Sequence, residues 1–231
     1  ALTYYGTRFD TFEYSLGWSY DSRNRALFAD RGSRHRLSAS YALPFSDVDF
    51  VSFNYDYLQF IPLSKWFTVM FNSEAGYGQA LGGTTSMPPY RRFFAGGPET
   101  VRGYRESRMG PKDSFGNPYG GNIKFTNQAE LLLPMPQKWR NSARFSLFFD
   151  IGNVFSQGAG VSFVGIDGVT PVDYEFDYNE LKQSAGLSVQ WLAPMGIFRF
   201  SYGIPLNEFK GDGVRYKDEV EKFQFTVGSA F

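Results

Sequence analysis

The sequence contains no cysteine, which removes disulfide frameworks and thiolate metal sites and leaves the redox compartment open. Histidine is nearly absent too. The single one, His35, stands between Arg34 and Arg36, so there is no second imidazole for a metal, and no G-x-S-x-G motif supplies a serine nucleophile. His35 reads as an interfacial or turn residue, and no catalytic residue, metal or cofactor is expected. Net charge is missing as well: 23 basic and 23 acidic residues cancel. No global field draws the chain to nucleic acid or to anionic lipid, and any partner must be recognised locally. No segment approaches the roughly 18 to 20 consecutive apolar residues of a transmembrane helix, and the opening ALTYYGTRFD lacks the charged-then-apolar pattern of a signal peptide. A membrane protein with this sequence has to be a barrel.

Aromatic residues, by contrast, are abundant. They make up 19 % of the 231 residues, with 25 Phe and 15 Tyr, while the mean hydropathy of −0.32 is that of a soluble protein. The length fits one all-β domain. In TFEYSLGWSY the apolar positions Phe12, Tyr14, Leu16, Trp18 and Tyr20 alternate with Glu13, Ser15, Gly17 and Ser19, which is the period of a strand. The alternation recurs at Leu37 to Leu43, Phe53 to Tyr57 and Phe67 to Tyr77, then over 123–133, 143–155, 185–191, 198–204 and 223–231. About nine strands result, most near the 9 to 11 residues of a tilted membrane-crossing strand.

From Lys65 onward, short connections around Gln137 and Pro194 alternate with long ones over 78–122, 156–182 and 205–221, as tight periplasmic turns and long outer loops require. The first connection, DSRNRALFADRG, is longer than this scheme predicts for its side. The acidic residues of FKGDGVRYKDEVEK lack calcium-loop spacing and read as a solvated outer loop. Period two fits either a soluble barrel with its apolar face inward or a transmembrane barrel with that face toward lipid. Mid-strand charges at Glu13, Asp56, Glu74, Lys124, Glu130, Arg144, Asp150, Arg199 and Lys222 share one side and favour a large polar lumen. On that reading arginine at Leu147, Phe149, Leu187 or Phe200 is costly, and at Ser146, Ser188 or Ser201 milder.

The segment FFAGGPETVRGYRESRMGPKDSFGNPYGGN, residues 93–122, resembles the long loop of BamA-type barrels, whose hallmark is Val-Arg-Gly-Phe/Tyr. Here the tetrapeptide is Val101, Arg102, Gly103 and Tyr104, preceded by Gly96 and Gly97. AELLLPMP, RFSLFFDIGNVF, SAGLSVQWLAPMGIFRFSYGIPLN and FQFTVGSAF resemble the closing strands of the same family. The resemblance implies an all-β, antiparallel transmembrane β-barrel, with residues 1–231 forming about 8 to 9 of the family's roughly sixteen strands and no POTRA domain. It implies that loop 93–122 folds inward and that its arginine anchors to acidic groups on the wall. The strand period independently turns Glu130 and Asp150 toward the lumen, and a planar guanidinium can bridge two carboxylates. Phe223, Phe225, Val227, Gly228 and Phe231 resemble the terminal β-signal of outer-membrane barrels.

The function implied is insertion and folding of β-barrel proteins in the Gram-negative outer membrane, with the C-terminus on the periplasmic side. Its partners would be the lipid bilayer, nascent barrel proteins and accessory lipoproteins, with no nucleic acid and no enzymatic step. A TamA-like or two-partner-secretion translocation barrel is the alternative within the family, and a passive outer-membrane pore or a soluble β-barrel binding module the alternatives outside it. With two strand edges to satisfy, pairing of the first strand with the last into a small closed monomeric barrel is expected over a dimer.

Overall fold

A computed structural model of the chain describes residues 10–158 and 160–228. The alternating segments become strands: β1 (Glu13–Asp21), β2 (Gly32–Ala42), β3 (Phe50–Pro62), β4 (Thr68–Ala80), β5 (Gly103–Tyr104), β6 (Ile123–Leu132), β7 (Ala143–Phe155), β8 (Phe163–Val164), β9 (Pro171–Val172), β10 (Lys182–Ala193), β11 (Gly196–Pro205), β12 (Val220–Glu221) and β13 (Phe223–Gly228). Nine of them form one sheet in the order β1-β2-β3-β4-β6-β7-β10-β11-β13. Every adjacent pair in it is antiparallel. The two-residue strands lie in the long loops, where β5 pairs with β12 and β8 with β9.

Directly opposed residues of an antiparallel sheet share a face, so whole rows can be read across it. Leu131, Leu147, Leu187, Tyr202 and Phe223 form one row, and Leu132, Ser146, Ser188, Ser201 and Gln224 the next. In the first row Leu187 is 57 % and Leu147 43 % exposed, whereas in the second Ser188 is 1 % and Gln224 4 % exposed. Outward side chains are mostly apolar, whereas polar and charged ones, among them Lys124, Gln128, Glu130 and Asp150, are buried on the concave face beside inward apolar residues such as Leu132 and Phe148. A soluble barrel would have the opposite arrangement. The fold is an antiparallel transmembrane β-barrel wall, polar on its concave side.

The expected closure does not occur. β1 and β13 are the two ends of the strand order, and no pairing joins them among the described residues. The long loop between β4 and β6 lies against the concave face, with Arg102 buried between Glu130 and Asp150. The preference for a closed monomer rested on that closure and falls with it.

The overlong first connection, residues 22–31, now has a physical explanation. It folds back across the concave face at the end of the sheet that carries the short connections. Ser22 N donates to Ser33 O at 2.8 Å and Asn24 N to Arg31 O at 3.2 Å. Ala29, 2 % exposed, packs with Phe60, Met70 and Leu132. Arg144 donates to the Ala29 carbonyl at 2.7 Å, and its guanidinium lies 5.1 Å from the Phe28 ring. A tight turn could not reach these residues.

Candidate functional site: a loop anchored in the concave face

The loop spans 81–122, and its glycines set its path. Gly96 has φ +101°, and a Cβ there would stand 2.3 Å from the Arg105 carbonyl oxygen. Only glycine fits such a backbone without displacement. Gly97, with φ +100°, begins a turn in which Thr100 N donates to Gly97 O at 3.2 Å and Gly96 N to Thr100 Oγ1 at 2.9 Å. This turn presents Val101 and Arg102, 0 % and 1 % exposed, to the wall.

Arg102 meets both carboxylates that the strand period turns inward. Its Nε donates to Asp150 Oδ2 at 2.8 Å and its Nη2 to Asp150 Oδ1 at 2.7 Å, a bidentate fork. Its backbone N–H adds a third bond to Asp150 at 3.0 Å. Nη1 donates to Glu130 Oε1 at 2.5 Å, and Glu130 Oε2 accepts from Ser146 Oγ at 2.8 Å. The guanidinium lies over Phe148 at 3.6 Å from the ring centroid, a cation–π contact that takes the face left free by the in-plane fork. Burial acts to lower the Arg102 pKa, but Asp150 and Glu130 outweigh it and hold the value above its ordinary range. The guanidinium therefore stays a cation.

The neighbouring motif residues turn to the other end of the sheet. Gly103, φ +87°, and Tyr104 pair with Glu221 and Val220, and the Gln224 side chain bonds to both. The Tyr104 hydroxyl donates to Asn207 Oδ1 at 3.2 Å. Burial, with Asp218 and Glu208 nearby, pushes the Tyr104 pKa well above its usual value, so the hydroxyl stays a donor. Above the loop, Glu219 accepts from Lys112 Nζ at 2.9 Å and Arg105 Nη1 at 3.0 Å. Tyr216 donates to Ser114 O at 2.8 Å. The segment read as a solvated outer loop therefore packs on loop 93–122 as a cover.

Phe223, Phe225 and Val227 stand on the outward face, 60 %, 48 % and 52 % exposed. Gly228 ends β13, and Phe231 lies outside the described residues. Sequence reasoning missed Ser146 as a hydrogen-bond partner, Phe148, Gln224 and Glu219. Gln224 had a signal: it is the inward polar position of FQFTV.

Residues 3–231 match the Omp85 superfamily domain. The chain belongs to the Omp85 superfamily. Among its relatives, the outer membrane protein assembly factor BamA of Neisseria meningitidis serogroup B is 36 % identical over 95 % of this chain and 29 % of its own length. BamA of Nitratidesulfovibrio vulgaris is 31 % identical over 64 % of this chain and 16 % of its own length. The crystal structure of BamA from Haemophilus ducreyi lacking POTRA domains 1-3 superposes with a TM-score of 0.80 at 31 % identity, covering 94 % of this chain and 42 % of that one. The chain thus spans less than half the length of each of these relatives. The Omp85 relatives carry the names of outer-membrane assembly factors and not of enzymes.

Proposed function

We propose that this chain serves the insertion and folding of β-barrel proteins in the bacterial outer membrane, as the barrel wall and inward loop of a BamA-type assembly factor. The observation that carries the reading is the Arg102–Glu130–Asp150 cluster, a loop arginine buried between two strands of a wall whose other face is apolar. The identity to BamA relatives supports it. Residues 1–231 act as one partial barrel domain in which loop 93–122 is the inward element. A wall that perturbs the bilayer and offers a strand edge lets nascent strands pair before their backbone groups meet lipid. Nascent barrel proteins and accessory lipoproteins are the partners, the C-terminus faces the periplasm, and no covalent step is required.

The test is a chimaera of the Neisseria relative in which the matching segment is replaced by this chain. In cells depleted of their own BamA it should restore growth and assembly of a reporter barrel, and Arg102→Ala should abolish both. A chimaera that reaches the outer membrane in folded form and assembles no reporter would refute the reading. Single-channel conductance persisting with the loop intact would favour the passive pore.

A further inference from the structure

Gln224 is 4 % exposed in β13, and its side chain does the work of a strand partner. Its Oε1 accepts from Gly103 N at 3.3 Å, and its Nε2 donates to Tyr104 O at 2.7 Å. The two partners fix the amide orientation, because exchanging oxygen and nitrogen would set donor against donor and acceptor against acceptor. The bonds continue a short ladder in which Gly103 opposes Glu221, Tyr104 opposes Val220 and Arg105 N donates to Glu219 O at 2.8 Å. Beneath it the loop lies directly on β11. A Cβ built at Gly203 would stand 2.8 Å from Gly103 N, and one at Gly103 would stand 3.1 Å from Gly203 C. Bare backbone rests on bare backbone.

Consecutive loop residues therefore hold opposite parts of the wall. Arg102 grips Glu130 in β6 and Asp150 in β7, Gly103 and Tyr104 grip β13, and β10 and β11 lie between them. β13 has six residues, pairs with β11 and ends the strand order, so it is the strand of the sheet with least to hold it. We propose that Gln224 is a positioning residue that couples the seating of loop 93–122 to the order of the terminal strand β13. When Arg102 is seated between its carboxylates, Gln224 receives the motif backbone and β13 is held. When the loop leaves, Gln224 is left with two buried unsatisfied groups and β13 frays from β11. The proposal deepens the insertion reading, since β13 carries an edge strand of the wall, but its first test does not depend on that reading.

Hydrogen exchange of the whole chain in detergent micelles tests the coupling. Gln224→Ala should speed exchange of the Phe225 and Val227 region by about tenfold, the effect of losing one to two hydrogen bonds. Gln224→Glu keeps length and acceptor but faces the Tyr104 carbonyl with no donor, and should behave like alanine. Arg102→Ala touches no atom of β13, yet should speed β13 exchange as well, and the double variant should be no faster than the faster single one. If Arg102→Ala loosens the loop and leaves β13 within twofold of wild type, or if Gln224→Ala leaves β13 unchanged, the proposal is wrong. Should either alanine variant fail to fold, Gln224→Asn, too short to reach both groups, and Arg102→Lys replace them with the same expectations at smaller size. In the Neisseria chimaera, Gln224→Ala should lower reporter assembly several-fold at unchanged thermal midpoint. A chimaera already inactive with Gln224 present counts against the insertion reading and leaves the exchange result standing.

Discussion

The two halves of the sheet share one sequence pattern and differ in what that pattern produces. In β1 the inward residues Ser15, Gly17 and Ser19 are as exposed as the outward Leu16 and Trp18. In β6 the inward Lys124, Thr126, Gln128 and Glu130 are all buried. The anchoring part of the long loop packs on the second half and leaves the middle of β1 and β2 open on the concave face, although Ala42 and Glu13 at one end meet Met87 and Arg91 of the loop. The outward face of the first half has its own organisation, an aromatic cluster in which His35 Nδ1 lies 2.8 Å from the Tyr55 hydroxyl and 4.9 Å, centroid to centroid, from the Tyr57 ring. Alternation decides which face a side chain takes, and the loop decides whether that face is covered.

The largest break in the comparison should come at the carboxylates. Asp150→Ala removes two hydrogen bonds from the buried Arg102 guanidinium and one from its backbone N–H and should cost about 3–5 kcal/mol, the effect of stranding a buried charge. Ser15→Ala, which loses a 2.9 Å contact to Ser40 on the open face, should stay within about 0.5 kcal/mol. Denaturant unfolding in detergent measures both, and equal values would mean that loop burial confers no special role on the second half.

Facing gives the next effect. Leu147→Arg places a charge on the lipid side and should cost about 2–4 kcal/mol near the midplane, whereas Ser15→Arg should be nearly neutral. Arginine at Ser146, Ser188 or Ser201 should be milder than on the lipid face, but burial keeps it from being neutral. These positions are 3 %, 1 % and 3 % exposed, and Ser146 is bonded to Glu130, so an arginine there must displace packed neighbours. Ser188→Arg should cost about 1–3 kcal/mol from overpacking, and a neutral outcome would show that the loop yields easily.

A smaller effect separates charge from shape at the anchor. Arg102→Lys keeps the cation but cannot address Glu130 and both oxygens of Asp150 from one plane, so it should lose about 1–2 kcal/mol and raise exchange at Val101 and Gly103. A lysine variant indistinguishable from wild type would sink the argument from the planar fork.

What could be read beforehand was what depends on local period. Glu130 and Asp150 flank residues of known facing, so their inward direction follows from the strand alone, and the loop arginine is the natural bridge between two such carboxylates. Gln224, Phe148, Gly203 and Glu219 were not legible as partners, because their roles depend on where a distant loop settles across five strands, which no local pattern encodes. Closure failed for the same reason. Whether the first strand meets the last depends on curvature and on the volume held inside, and a clean alternation in β1 says nothing of either.

The smallest effect concerns the cover over the loop. Burial acts to raise the Glu219 pKa, but Lys112, Arg108 and Arg105 overcome it and hold the carboxyl below its ordinary value of 4.5. A carboxyl whose folded value is depressed contributes stability that is full above the unfolded value and disappears as pH falls through the folded one. Its tie to Lys112 and Arg105 should therefore be intact at neutral pH and weaken below pH 4.5, loosening the pairing of β12 with β5. Because the Glu219 side chain is about a quarter exposed, water screens the pair and the change should be modest. Exchange at Arg105, corrected for the intrinsic pH dependence of amides, should rise on acidification in the wild-type chain. In Glu219→Gln it should start higher and change little. An equal rise at Arg105 in the wild-type chain and in Glu219→Gln would show instead that the Glu219 carboxyl does not govern the cover's response to acid.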